Sequence, residues 1–346
     1  HEVQGRTVIK PLVGEKEEGP GNASVVLPVR GSMRGLAVGC GLNPRYGDWD
    51  PYAMAGCVID EAIRNVVAVG ADPDQIALLD NFCWGNPERP ETLGSLVLAA
   101  QGCHDLALSY RTPFISGKDS LYNEYTHEGK SLAIPPTLLI SAIGQVPDVR
   151  RCVTMDLKES GNILLVVGLT RNELGGSAYL KMLGLAGGRV PRVEPEMGRA
   201  IFRAIHHSMI RGLLRSCHDL SEGGLAVSLA EMCLAGDLGA EISLRDVPCV
   251  DDAARDTVLL FSESPSRFVI EVAPGNVAEV LDLFAGLPIG RLGQVAACSA
   301  ASSHMVVRGL MGQTVIDAPV ERLRAQWLRP IDDHGFDSVN HHPLNR

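Results

Sequence analysis

The segment PYAMAGCVIDEAIRNVVAVGADP, residues 51–73, constrains the fold more than any other stretch of this chain. Met54, Val58, Ala62, Val66 and Val69 recur at helical spacing and predict one long helix with an apolar stripe. Pro51 suits its first turn, and Gly70 with Pro73 stops it. Glu61 and Asn65 are four residues apart, so both project from one face, beside the stripe and next to Cys57. A carboxylate and an amide oxygen at that spacing suit a hard cation such as Mg2+. The plainer alternative is a polar pair at the edge of a core.

Such a stripe needs a partner surface. Strand-like runs fall at 25–29, 35–38, 76–79, 113–116 and 138–144, and a second helix is predicted over 92–110. Residues 1–24 are polar and rich in Gly and Pro. After DVRRCVTMDLKES the pattern starts afresh. NILLVVG (162–168) reads as a buried strand, helices are predicted at 178–183 and 195–211, and strands at 267–272 and 290–295. HDLSEGGLAVSLAEMCLAG reads as a loop feeding a helix, with Leu225, Leu229 and Met232 on one face. The rhythm is not all-parallel. It predicts two α/β (α+β) domains, 1–155 and 156–330, followed by a polar tail at 331–346.

The chain has 346 residues, 45% hydrophobic and 21% charged, enough for a large core without disulfides or metals. A net charge of −10 argues against a nucleic-acid or anionic-membrane binder, but leaves room for a local pocket for a phosphorylated small molecule. The nine cysteines form no C-x-x-C pair, and the ten histidines show no metal spacing, so no zinc site is expected. Cys40 in VGCGLN is read as structural, and His206-His207 as a surface pair. Neither a signal-like start nor an apolar run of membrane-span length is present, and a cytoplasmic location is expected. The opening at His1, in polar residues, leads us to expect a piece of a longer polypeptide.

Several polar clusters could carry chemistry. ISGKDSLYNEY (115–125) is not a P-loop, because Thr112 stands where the first Gly belongs and Asp119 follows Lys118. A strand ending in Gly117 is expected instead, with Lys118, Asp119, Ser120 and Asn123 in a polar turn at its end, where open α/β folds place ligands; the alternative is a solvated turn. HDLSEGG places Asp219, Ser221 and Glu222 before Gly223-Gly224 at a helix start, a setting that favours anions. Ordinary N-capping by Ser221 is the alternative, though it leaves the double Gly unexplained. LGGS (174–177) is a second Gly-rich helix entrance, and DNFCWGNP (80–87) is an unusually polar strand exit.

Together, GPGNASVV (19–26), residues 43–73, LLDNFCWGNP (78–87), FISGKDSLYNEY (114–125), LGGS (174–177) and HDLSEGGLAVSLAEM (218–232) resemble phosphoribosylformylglycinamidine synthase. The chain is similar to the C-terminal half of that family's synthetase part. The E-x-x-x-N helix and the D-x-S-[DE]-G-G loop are shared with aminoimidazole ribonucleotide synthetase and selenophosphate synthetase. The DNFCWGNP and SGKDSLYNEY segments point to this member of the superfamily. The resemblance implies an N-terminal A domain that pairs with another A domain around a β-barrel-like interface, followed by an α/β B domain. It implies an ATP- and Mg2+-dependent ligase of purine biosynthesis that turns formylglycinamide ribonucleotide into its amidine, using ammonia from a glutaminase subunit or domain. The implied partner is the N-terminal half of the same synthetase, with a homodimer through A domains as an alternative.

By motif, the resemblance implies Glu61, Asn65 and Asp219 as magnesium ligands and Asp80, Gly117 and Ser221 as ATP contacts. It implies Ser120, Lys118 and Asn123 on the phosphoribosyl substrate. Lys118 replaces a ligating Asn of many relatives, and an ammonium pairs with phosphate rather than metal. Asn22 replaces an Asp of relatives, so an anionic metal ligand is lost or weakened there. The family's catalytic His is absent: the matching segment, YGDWDP (46–51), carries Asp48 and Asp50 instead. A second half without independent catalysis is therefore expected. A nucleotide-holding structural half and a self-pairing relative that phosphorylates an amide or amine are the alternatives.

Overall fold

The structure, a computed structural model, describes residues 5–296 and 303–329; the tail expected at 331–346 lies outside the described residues. Its organising element is helix α1 (Pro51–Ala68). Asp50 caps it by accepting from the Ala53 N–H at 2.9 Å, and Pro51 sits where a missing N–H costs nothing. Val58, Ile59, Ala62, Val66 and Val67 are fully buried, and each large apolar side chain contributes roughly 1.5–3 kcal/mol by leaving water.

The stripe packs on a six-stranded sheet: β1 (Thr7–Ile9), β2 (Ser24–Val26), β3 (Gly35–Gly41), β4 (Ile76–Cys83), β5 (Phe114–Ser120) and β6 (Thr137–Val146). The spatial order is β1-β2-β3-β6-β4-β5. Every neighbour is antiparallel except β4 with β5. A parallel pair needs a crossover, which helix α2 (Pro90–Tyr110) supplies. On β6, Leu138, Ile140 and Ala142 are fully buried, while Leu139, Ser141 and Ile143 on the opposite face are only partly covered. Val38, paired with Ile143, is 47% exposed, so this second sheet face is open.

A seven-stranded sheet follows: β7 (Ile163–Val167), β8 (Leu214–Asp219), β9 (Gly239–Ser243), β10 (Phe268–Val272), β11 (Ile289–Ala296), β12 (His304–Arg308) and β13 (Thr314–Pro319). Its order is β8-β10-β7-β11-β9-β12-β13, and only β9 with β12 is parallel. Every residue of β7 and β10 is buried, as the unbroken apolar run of β7 predicts. Helices α3 (Pro195–Ile210) and α4 (Gly224–Gly236) are the longest of this part. Helix α1 packs on α3 and β8 as well as on its own sheet, so one helix serves both halves of the fold.

Two expectations change. The expected polar turn at 118–120 is strand: β5 runs past Gly117 to Ser120 because parallel pairing with β4, Asp80 opposite Gly117 and Cys83 opposite Ser120, satisfies its backbone. His206 is 5% exposed, because it lies on the inner face of α3 rather than at the surface. Thr7–Ile9 and Ser24–Val26 pair at the sheet edge, strands too short to carry a readable alternation.

Candidate functional site

The inner end of α1 meets the end of β8 and the loop beyond it. Asp219 Oδ2 accepts from Arg64 Nε at 3.3 Å and Nη2 at 3.2 Å, and from the Ser221 hydroxyl. Arg64 also donates to Ser221 Oγ at 2.9 Å, to the Leu220 carbonyl at 3.3 Å and, one turn back on its helix, to Asp60. Asp60 is fully buried and accepts in addition from Tyr110 and from the Ser266 backbone and hydroxyl. Burial opposes the Arg64 charge, but Asp60, Asp219 and Glu61 outweigh it. Asn22 Nδ2 donates to Asn65 Oδ1 at 2.9 Å and to Asp219 Oδ1 at 2.7 Å. Glu61 accepts from the Leu42 N–H at 3.1 Å. Burial pushes the Glu61 carboxyl up to about 8, Arg64 opposes the rise, and Asp219 and Glu222 add to it. The structure thus brings Glu61, Asn65, Asp219 and Ser221 to one joint.

The two Gly-rich helix entrances meet there as well. Glu263, 4% exposed, accepts from the Ala178 N–H at 2.9 Å and the Gly223 N–H at 2.8 Å, one at each entrance. Its other oxygen accepts from the Tyr46 hydroxyl at 2.5 Å. Arg45 donates to the Gly176 carbonyl at 3.1 Å and pairs with Glu222 at 3.3 Å. The double Gly is required: Gly223 and Gly224 have φ of 82° and 61°, and a Cβ on Gly224 would lie 2.4 Å from the Ser262 carbonyl oxygen. The YGDWDP segment is therefore a clamp. Tyr46 holds Glu263, while Asp50 caps α1 and pairs with Arg192 at 2.7 Å.

Asp80, Gly117, Lys118, Ser120 and Asn123 lie elsewhere, at the β4–β5 edge. Gly41, Ile140, Asp80 and Gly117 form one row across the sheet. Strands repeat every ~4.8 Å, so Gly117 is about 14 Å from Gly41, against which Glu61 packs. The Asp80 carboxylate occupies the space a Gly117 side chain would take: a Cβ there would lie 2.3 Å from Oδ1. Burial raises the Asp80 carboxyl, and the Lys118 backbone N–H holds it back. Lys118 Nζ donates to Ser120 Oγ, and Asn123 Nδ2 donates to the Ser120 carbonyl at 3.1 Å. Lys118 and its strand neighbours are exposed along the edge.

Magnesium requires several oxygens free to turn toward it in near-octahedral geometry. Here the Oδ1 atoms of Asn65 and Asp219 both accept from Asn22, and Asp219 Oδ2 faces the Arg64 guanidinium. Among the described residues no three His, Cys, Asp or Glu are placed to hold a metal ion. The set Glu61, Asn65, Asp219, as it stands, does not fit a divalent cation.

Arg64, Tyr46 and Glu263 escaped the sequence reading. Arg64 had one signal, its spacing of four from Asp60 on a helix face that is otherwise apolar. Glu263 had none.

Two family profiles match the chain: AIR synthase related protein, N-terminal domain, over residues 21–146, and its C-terminal domain over 159–304. The chain belongs to this AIR synthase-related family. Within it, the chain is 35% identical over 337 residues to phosphoribosylformylglycinamidine synthase subunit PurL of Deinococcus radiodurans. The match covers 96% of this chain but 43% of that protein, so the chain spans less than half the length of such relatives. Thermotoga maritima PurL complexed with FGAR superposes with a TM-score of 0.72 at 20% identity, covering 92% of this chain and 50% of that one. The same protein complexed with ATP gives 0.68 at 20% identity, with coverages of 92% and 48%. At that identity the superpositions establish the fold. No described helix is long and apolar enough to cross a membrane.

Proposed function

We propose that this chain is the C-terminal half of the synthetase part of an ATP-dependent, amidine-forming ligase of purine biosynthesis. The complete enzyme converts formylglycinamide ribonucleotide, ATP and glutamine-derived ammonia to the amidine, ADP and phosphate, with magnesium on the nucleotide and a glutaminase supplying the ammonia. The single observation that carries this reading is the match to PurL along nearly all of this chain and less than half of the relative. The β4–β5 edge supports it. Gly117, Lys118 and Ser120 lie on the edge strand, with Asp80 beside Gly117 on β4, available to a nucleotide or phosphoribosyl group held by a second A domain. The open face of the first sheet, with Val38 and Cys40 exposed, offers the surface for such pairing. Lys118 serves phosphate, Asn123 holds the strand exit, and Ser221 lies at the joint behind the site.

The test is reconstitution. The isolated chain is expected to give no ATP-dependent amidine formation from ammonium, and addition of the missing N-terminal half is expected to restore it. Robust turnover by the 346-residue chain alone overturns the reading.

A second reading, a nucleotide-holding half without chemistry, draws on the YGDWDP clamp, whose Tyr46 and Asp50 are engaged in holding the fold. Calorimetry with Mg2+-ADP separates the two. Tight binding by the isolated chain, lost in Asp219→Ala, favours the holding role, and heat only in the presence of the partner half favours the shared site.

A further inference from the structure

Asn22 sits at the centre of the joint, and its neighbours fix which way its amide faces. Asn65 Nδ2 donates to the Cys40 carbonyl at 2.9 Å, so Asn65 presents its oxygen to Asn22. Asn22 answers with its nitrogen, since two amide oxygens at that distance would repel. The same nitrogen donates to Asp219 Oδ1 at 2.7 Å, so both amide hydrogens are spent on the joint. The Asn22 oxygen then faces His218 Nδ1 at 2.9 Å, which must donate to it. His218 Nε2 lies 3.0 Å from the Glu231 carboxylate. With an acceptor at each ring nitrogen, this is the geometry of an imidazolium. A line of donors therefore runs from His218 through Asn22 to Asp219 and Asn65, while Arg64 holds the other Asp219 oxygen.

We infer that the Asn22 carboxamide takes the place of a divalent cation at this joint. It draws Asn65 and Asp219 together by hydrogen bonds alone and makes the junction of the two halves independent of metal. The inference rests on the geometry of the joint and stands whether or not the ligase reading does. It has a direct corollary. Asn22→Asp puts an oxygen where the amide nitrogen now donates, so three oxygens, two of them from carboxylates, meet at one point. Such a set is satisfied by a hard cation.

The experiment is Mn2+ titration of the full chain followed by electron paramagnetic resonance, with the melting temperature read in chelator and in saturating Mn2+. The wild-type chain is expected to bind no Mn2+ saturably and to melt at the same temperature in both media. Asn22→Asp is expected to gain a saturable Mn2+ site and to melt about 2–4 °C higher with the metal than in chelator. The gain is expected to vanish when Asn65→Ala is added. Folding of Asn22→Asp only in the presence of Mn2+ supports the inference equally. A folded Asn22→Asp chain that binds no Mn2+ overturns it. Should that variant fold in neither medium, the wild-type titration decides: saturable Mn2+ binding that is lost in Asn65→Ala overturns the inference, and its absence upholds it.

Discussion

The Arg64 guanidinium donates to Asp219 Oδ2 from both Nε, at 3.3 Å, and Nη2, at 3.2 Å, tying the middle of α1 to the end of β8. Arg64 is 3% exposed and also holds Asp60. Arg64→Met leaves two buried carboxylates without their cation, and breaking a buried pair from one side costs about 3–5 kcal/mol. Urea unfolding of the full chain is expected to show a loss of that size. Arg64→Lys is expected to recover little of it, because an ammonium cannot span Asp60, Asp219 and the Leu220 carbonyl with one rigid fork. A loss below about 1 kcal/mol for Arg64→Met would mean the joint is held by packing alone.

Gly117 is glycine because Asp80 needs the space. A Cβ would come within 2.3 Å of Asp80 Oδ1, so Gly117→Ala must swing the carboxylate away from the Lys118 N–H. The strand is an exposed edge, and the stability change is expected to stay within about 1 kcal/mol. In the reconstituted two-half enzyme the KM for ATP is expected to rise on the order of tenfold, the equivalent of one hydrogen bond. Lys118→Ala is expected to weaken nucleotide or substrate binding in the same assay. Unchanged kinetics in both variants would make this edge purely structural.

What was legible in the sequence had local causes. The period of Met54, Val58, Ala62 and Val66 revealed α1, and the spacing of Glu61 and Asn65 placed both on one face. The double Gly at 223–224 marked a helix start in the sequence, but the reason for it, positive φ at both residues, shows only in the structure. Illegible residues take their meaning from partners far along the chain. Arg64 and Asp219 are 155 residues apart, and Asn22 and Asp219 are 197 apart. The change from Asp to Asn at position 22 was visible by resemblance, but that its nitrogen bridges two oxygens is a fact of three dimensions. Strand β5 was cut short for a different reason: its polar residues lie on an exposed edge, where no apolar alternation is needed.

Glu61 makes the joint sensitive to pH. Its carboxyl is raised from 4.5 to about 8, so between those values the folded chain holds a proton that the unfolded chain has released. The folded state binds more protons there, and stability from this group falls as pH rises, levelling off above about 8. Glu61→Gln removes the titration while keeping the size of the side chain. Relative to wild type, the variant is expected to gain stability steadily as the pH is raised through this window, in urea midpoints measured at several pH values. A wild-type-minus-variant difference that is flat with pH would mean Glu61 is ionised throughout.

The Glu263 carboxylate is the hub of the other polar cluster, and its two oxygens divide the work. Oε1 accepts from the Ala178 and Gly223 N–H groups, at the starts of two helices where unpaired donors favour an anion. Oε2 accepts from Tyr46, which reaches across from the clamp preceding α1. Glu263→Gln keeps the shape but turns one of the two oxygens into a donor. Either Tyr46 or the two backbone N–H groups must then face a group that cannot accept, a buried loss of about 1–3 kcal/mol. Tyr46→Phe removes only the hydroxyl and is expected to cost about 0.5–1.5 kcal/mol. Because both act through one carboxylate, the double variant is expected to fall short of the sum by at least about 0.5 kcal/mol. Hydrogen exchange at the Ala178 and Gly223 amides is expected to accelerate in Glu263→Ala, which removes their acceptor, and to stay near wild type in Tyr46→Phe. Additive stabilities with unchanged exchange would show that the two helix entrances are held by their own loops and not by Glu263.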